Sequence, residues 1–215
     1  MSSFSNSWEK KQSRRFGSRF SEGLKNPGPI KPRIDLAERQ LQIQIAKLES
    51  AASKLKLRDA SMFSKVVSAV EKHDPQHASV YANELSELRK MGKMITQAKL
   101  ALEQVVLRLG TITEMGDVAA ALAPTVSVIR GVREGLGAVI PEAMGEIGEI
   151  SSLLSGVLVD AGSIGGTSLN FEVANEEAEK TLEEAAAVAE QRMKERFPEI
   201  PLEVVQDQGE GQETA

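Results

Sequence analysis

At 215 residues the chain can supply one or two domains, yet aromatic residues make up only 4% of it and cysteine is absent. Without thiols, disulfides, thiolate metal sites and cysteine nucleophiles are excluded, and so few rings argue for an elongated helical body instead of a broad globular core. The formal net charge of −5 conceals a division, because residues 1–100 hold 19 Lys/Arg against 10 Asp/Glu whereas residues 101–215 hold 7 against 21. A basic front and an acidic rear suit binding to an anionic surface, folding of one half onto the other, or head-to-tail pairing of copies, all sensitive to salt.

The first unit is residues 1–33. Phe4, Trp8, Phe16 and Phe20 are half of the eight aromatic residues, Leu24 extends their four-residue spacing, and Lys10, Lys11, Arg14, Arg15 and Arg19 are interleaved with them. This reads as an interfacial amphipathic segment whose apolar groups enter the headgroup boundary while its cations meet anionic lipid. A basic tail without structure and a binder of single-stranded nucleic acid are the alternatives; nucleic acid is not the expected partner. No apolar run follows these cations, so the start is not a secretory signal. The longest apolar stretch, Val118 to Ile129, is interrupted by Pro124, Thr125 and Ser127 and is too short for a membrane span. A cytoplasmic protein is expected. Asn26 to Pro32 closes the unit as a stiff spacer.

Residues 34–72 predict one long helix. Ile34, Leu41, Leu48, Leu55 and Met62 recur at seven-residue intervals, with Ile45, Ala52 and Val66 in a second column, the seam of a coiled coil. His73-Asp74-Pro75 stops it, since Asp74 suits an N-cap and Pro75 the first position of a new helix. The heptads resume with Tyr81, Leu88, Ile95, Leu102 and Leu109 beside Met91, Ala98, Val105, Ile112 and Ala119, which predicts a second helix to about residue 123. The two helices would measure about 58 and about 73 Å and close into an extended antiparallel hairpin. The excess length leaves Met115, Val118 and Leu122 as an apolar overhang, to be covered by later helices or by a neighbouring subunit, and marks them as candidate polymer contacts.

Two short helices follow in the pattern, from Pro124 to about Gly135 on Val126, Ile129 and Val132, and from Pro141 to about Leu158 on Met144, Ile147, Ile150, Leu154 and Val157. Eleven of the 17 glycines lie between Gly110 and Gly166; each one inside a helix costs about 1 kcal/mol relative to alanine, so these helices are marginal alone. The core unit is placed at 34–161 and a glycine-rich linker at 162–170. An acidic helix at 171–197 presents Val173, Leu182, Ala186, Ala189 and Met193 as its apolar face, and residues 198–215 form a strip and a polar tail. The fold class expected is all-α: a long antiparallel helical hairpin, two short helices and an acidic C-terminal helix.

No phosphate-loop, nucleophile-elbow, zinc-protease or dinucleotide pattern occurs, so neither an enzyme nor a cofactor is expected. His73 and His77 have ligand spacing, but the Asp74-Pro75 reversal lies between them and no third ligand is apparent; a metal is not expected. Phe197-Pro198-Glu199-Ile200-Pro201-Leu202 is a preformed extended strip that loses little entropy on docking into a groove, or simply a helix stop.

Taken in order, the basic amphipathic start, heptad hairpin, two short helices, acidic fifth helix and proline strip resemble the ESCRT-III family, and within it the archaeal cell-division proteins of the CdvB type, over residues from about 14 to 202. The strip is similar to that family's proline-containing MIT-interacting motif. By position, the resemblance implies Pro198, Ile200, Pro201 and Leu202 as contacts to the MIT domain of an AAA ATPase that disassembles the polymer. Some members carry a winged-helix segment after the strip; the chain is more similar to the shorter paralogues without it. The resemblance further implies filaments of self and paralogous subunits on the inner face of the cell membrane, at the division site. A cytosolic coiled-coil adapter or scaffold, and a phage-shock-like membrane-stress protein, are the rival expectations.

Overall fold

α1 spans Ile30–Glu71 and buries Ile34, Leu41, Leu48 and Met62 of the predicted seven-residue column, with Leu55 half-buried. The computed structural model describes residues 29–112, 115–165 and 171–199. α1 starts earlier than the pattern suggests: Pro32 lies in its first turn, where backbone N–H groups have no intrahelical acceptor and a proline removes nothing. The second column departs from the simple heptad, because Ala37 and Gln44 are buried in the first part of the helix and Asp59 and Val66 in the last, while Ile45 and Ala52 are half-buried.

The turn into α2 (Pro75–Gly110) follows the sequence signals closely. Asp74 N–H donates to the Ala69 carbonyl at 3.0 Å and His73 N–H to that of Val70 at 2.9 Å, closing α1 with a Schellman pair around a left-handed His73 at φ 54°. The Asp74 carboxylate then caps α2 by accepting from His77 N–H at 3.1 Å, with Pro75 beginning the helix.

α2 stops at Gly110 instead of running to about residue 123, and α3 (Met115–Leu136) begins after the turn. Val118 and Leu122 therefore form no exposed overhang: they are 3% and 0% exposed inside the main core. Met115 opens α3, and its side chain lies outside the described residues. α3 packs against α2, and the heptad residues on either side of the break, among them Val105, Leu109, Val118 and Ala119, lie in one shared core. Nor does Pro124 begin a helix. It sits buried inside α3, leaving the Ala120 carbonyl without its usual donor; Thr125 next to it donates its hydroxyl to the Ala121 carbonyl at 2.7 Å. Packing on α2, α4 and α5 holds this weakened helix together.

α4 (Pro141–Gly165) extends past the predicted Leu158 into the glycine-rich stretch, and α5 spans Phe171–Arg196. Residues α1 to α4 share one core with Leu41, Leu102, Leu122, Ile147 and Leu154 fully buried. α4 lies antiparallel along the first part of α1, tied by Arg33 to Asp160 and by Lys47 to Glu146 at 2.5 Å. The far part of the hairpin is two helices thick and has its own small core of Met62, Val66, Ala69, Ala78, Ala82 and Leu85. The described residues contain no strand, and the fold is all-α as expected.

Candidate functional site: a docked acidic helix and a basic outer face

α5 lies in the groove between α2 and α3, antiparallel to α2. Three contacts set its register: Glu177 accepts from Arg108 at 3.2 Å, the Leu182 carbonyl from Gln97 at 3.3 Å, and Glu190 from Lys93 at 2.9 Å. On the α3 side Ser127 donates to Asn175 at 3.0 Å. The docked face is Ala174, Ala178, Ala185 and Ala189, all buried, with Leu182 half-buried. Alanines spaced in this way let the helix approach closely but remove little apolar surface from water, so α5 is held far more weakly than α4 with its buried Ile147, Ile150 and Leu154. Of the expected face, Ala189 is buried and Leu182, Ala186 and Met193 are half-buried; Val173 lies outside the described side chains.

Two glycines make room for it. A Cβ on Gly131 would stand 2.7 Å from Leu182 Cδ1, and one on Gly92 3.4 Å from Met193 Cε, so each large side chain of α5 sits over a residue with none. Glycines inside helices cost helix stability and here supply notches.

At the end of α5 the Phe197 ring lies 5.6 Å from the Arg89 guanidinium carbon. Arg89 Nε donates to Asp59 at 2.8 Å, and the pair is largely buried, 17% and 5% exposed. It bridges α1 and α2 where the four-helix core gives way to the bare hairpin. One Arg89 terminal nitrogen is buried with no acceptor, its face being covered by the ring. The signal for this cluster was present in the sequence as a carboxylate at position 59, in step with Ala52 and Val66 in the seam, where only a partnered charge can sit.

The ionised carboxylates along these contacts are stabilised. Glu190 is held below the usual glutamate value by hydrogen bonds from Lys93 and then Lys194, and Glu146 by Lys47 and then Gln44. Asp74 is lowered chiefly by the His77 backbone N–H.

The other feature is the outer side of α1. Leu36, Ile43 and Leu57 are 48%, 55% and 74% exposed, and seven-residue steps relate them through Ser50. Exposed Arg39, Lys54, Arg58, Lys65 and Lys72 lie around the same line. At about 100° per residue no carboxylate of α1 falls within about 60° of Leu36; Asp35 and Glu71 flank the strip, Glu38, Glu49 and Asp59 lie farther round, and Lys47 of the strip is paired with Glu146 of α4.

The remaining sequence expectations fall as follows. Phe4, Trp8, Lys10, Lys11, Arg14, Arg15, Phe16, Arg19 and Phe20 lie outside the described residues, as do Ile200, Pro201 and Leu202. Pro198 is exposed beside the half-buried Phe197. Among the described residues no group of three metal-ligating side chains occurs, and no helix is long and apolar enough to cross a membrane.

Comparison with known proteins places these features in a lineage. The chain is 39% identical over 177 residues to Cell division protein B1 of Sulfolobus acidocaldarius, a match covering 82% of this chain and 83% of that protein. To Cell division protein B of the same organism it is 32% identical over 162 residues, covering 75% of this chain and 62% of that protein. No protein-family model and no solved structure matches it. Identity at this level over most of the length of both the chain and the B1 protein shows that the chain belongs to the CdvB-type family of archaeal cell-division proteins.

Proposed function

We propose that this cell-division protein is a non-enzymatic, polymer-forming subunit that assembles on the inner face of the cell membrane at the division site and drives constriction and scission. The observation that carries the reading is the outer face of α1, a strip more than half the helix long that combines exposed Leu36, Ile43 and Leu57 with Arg39, Lys54 and Arg58, into whose centre α1 itself places no carboxylate. Anionic headgroups attract such cations by about 1 kcal/mol each, and the apolar residues enter the boundary. The aromatic and basic residues between Phe4 and Phe20 would add a second anchor.

The alanine-faced α5 supplies the control. Docked, it helps hold α3 against the hairpin; its release, followed by movement of α3 off α2 and α4, would free Val118 and Leu122 to pair with a neighbouring or paralogous subunit. Ile200, Pro201 and Leu202, with Pro198, are the proposed contacts to the MIT domain of a disassembling AAA ATPase.

Cosedimentation with anionic and neutral vesicles, followed by negative-stain microscopy, tests this. Binding and filaments restricted to anionic vesicles are expected. A chain that stays monomeric in the supernatant at low salt overturns the reading and favours a cytosolic coiled-coil scaffold.

A further inference from the structure

At the junction where the end of α5 meets the hairpin, a cavity of about 110 Å³ opens between α1, α2 and α5. Its lining includes Lys56 of α1, Lys99 of α2, and Arg192 and Arg196 of α5. Only two carboxylates accompany these four cations, and both are engaged: Glu49 lies 3.2 Å from Lys99, and Asp59 is taken by Arg89 at 2.8 Å. Lys56, Arg192 and Arg196 form no ion pair within the described residues. Cations at the end of α5 complement its own C-terminal carbonyls, but that does not require a third cation from another helix to face them. Three unmatched cations from two helices line one cavity, Lys56 and Arg196 exposed and Arg192 half-buried, so nothing on the protein balances them there, in contrast to the Glu177 and Glu190 contacts that favour docking of the rest.

We propose that this cavity is a binding site for a compact phosphate anion, of inorganic phosphate or pyrophosphate size, which neutralises Lys56, Arg192 and Arg196 and fastens the end of α5 to α1. Two guanidinium groups can each present paired N–H donors to phosphate oxygens, and the lysine adds a point charge. Ser53 adds a hydroxyl at the lining. A volume of about 110 Å³ exceeds the share of a single water, about 30 Å³, several-fold and accommodates such an anion. The site depends on the docked position of α5 and on no particular reading of what the polymer does.

The test uses the full chain and pyrophosphate, with sodium chloride at matched ionic strength as the reference. Isothermal titration calorimetry and the thermal midpoint are measured for the natural chain, for Arg192→Gln with Arg196→Gln, for Lys56→Gln, and for Lys90→Gln on the neighbouring surface. Saturable binding with a raised midpoint is expected for the natural chain and Lys90→Gln. Affinity should fall about tenfold in Lys56→Gln and further in the double variant. Hydrogen exchange in residues 185–197 should slow on adding pyrophosphate. A midpoint no higher than with matched chloride, or undiminished binding by the double variant with its helicity intact, overturns the site. A fourth variant neutralises the chain's own carboxylates at Glu203, Asp207, Glu210 and Glu213. If it binds pyrophosphate and the natural chain does not, those residues fill the cavity and the proposal is overturned in their favour.

Discussion

His73 carries a left-handed φ of 54° at the one place where the hairpin demands it. For an L-residue with a Cβ that conformation costs about 1–2 kcal/mol, of which glycine recovers part after its own larger entropy loss. His73→Gly should therefore stabilise the hairpin by about 0.5–1 kcal/mol in chemical denaturation. A loss of stability would show that the imidazole contributes more than the turn. The Asp59–Arg89 pair gives the opposite case. Arg89→Met leaves Asp59 charged and 5% exposed with no partner, and should cost about 3 kcal/mol or more. Replacing both, as Asp59→Leu with Arg89→Met, should recover most of that, because hydrophobic side chains of similar volume need no desolvation of charge. A double-mutant cycle on the denaturation midpoints measures the coupling.

Among the elements, α5 is the least firmly attached and the most informative to disturb. Gly131→Leu fills the notch over which Leu182 sits and should lift α5, raising proteolysis and hydrogen exchange across Phe171–Arg196 while the buried amides of α2 and α4 stay protected. Uniform loss of protection would mean that α5 is integral to the core and not a releasable helix. Elements were unequally legible. α1 and the start of α2 could be read from heptads, Asp74 and Pro75, because capping chemistry is local. The break at Gly110 and the continuous α3 through Pro124 were not, because a heptad column continues in phase whether the next helix extends its predecessor or folds back on it. Proline position likewise reports a local preference that packing on three neighbours outweighed.

For the whole molecule the divided charge is a stability variable. Glu190, Glu146 and Asp74 have lowered values in the folded chain. Their contributions are therefore complete above the ordinary values of 4.5 for the glutamates and 3.8 for Asp74, and are lost as pH falls through the lowered folded values. Circular dichroism and α5 hydrogen exchange against pH should show α5 loosening in acid. Glu190→Gln should flatten that dependence for α5 without moving it for the hairpin turn. Salt should act in the same direction but weakly, since the Lys93–Glu190 and Arg108–Glu177 pairs are exposed and solvent screens such pairs. Replacing Arg39, Lys54 and Arg58 by glutamine should reduce cosedimentation with anionic vesicles at least several-fold while leaving helicity unchanged. Equal binding would move the contact to the aromatic residues between Phe4 and Phe20.

The periodicity of apolar residues and the capping signals determined, without any structure, that the chain is all-α and that its first two helices form a hairpin turning at Asp74, and composition alone that a basic half is followed by an acidic helix. Those properties follow from interactions within a turn or two, which are written in order along the chain. Tertiary structure alone decided where α2 yields to α3, that Val118 and Leu122 are covered by the chain itself, and that Gly92 and Gly131 seat Met193 and Leu182. It also decided that Phe197 closes over Arg89 and Asp59. Each of these depends on which faces meet across more than sixty residues of intervening chain or on how two helices share a groove, and helical spacing records a buried face without recording its partner.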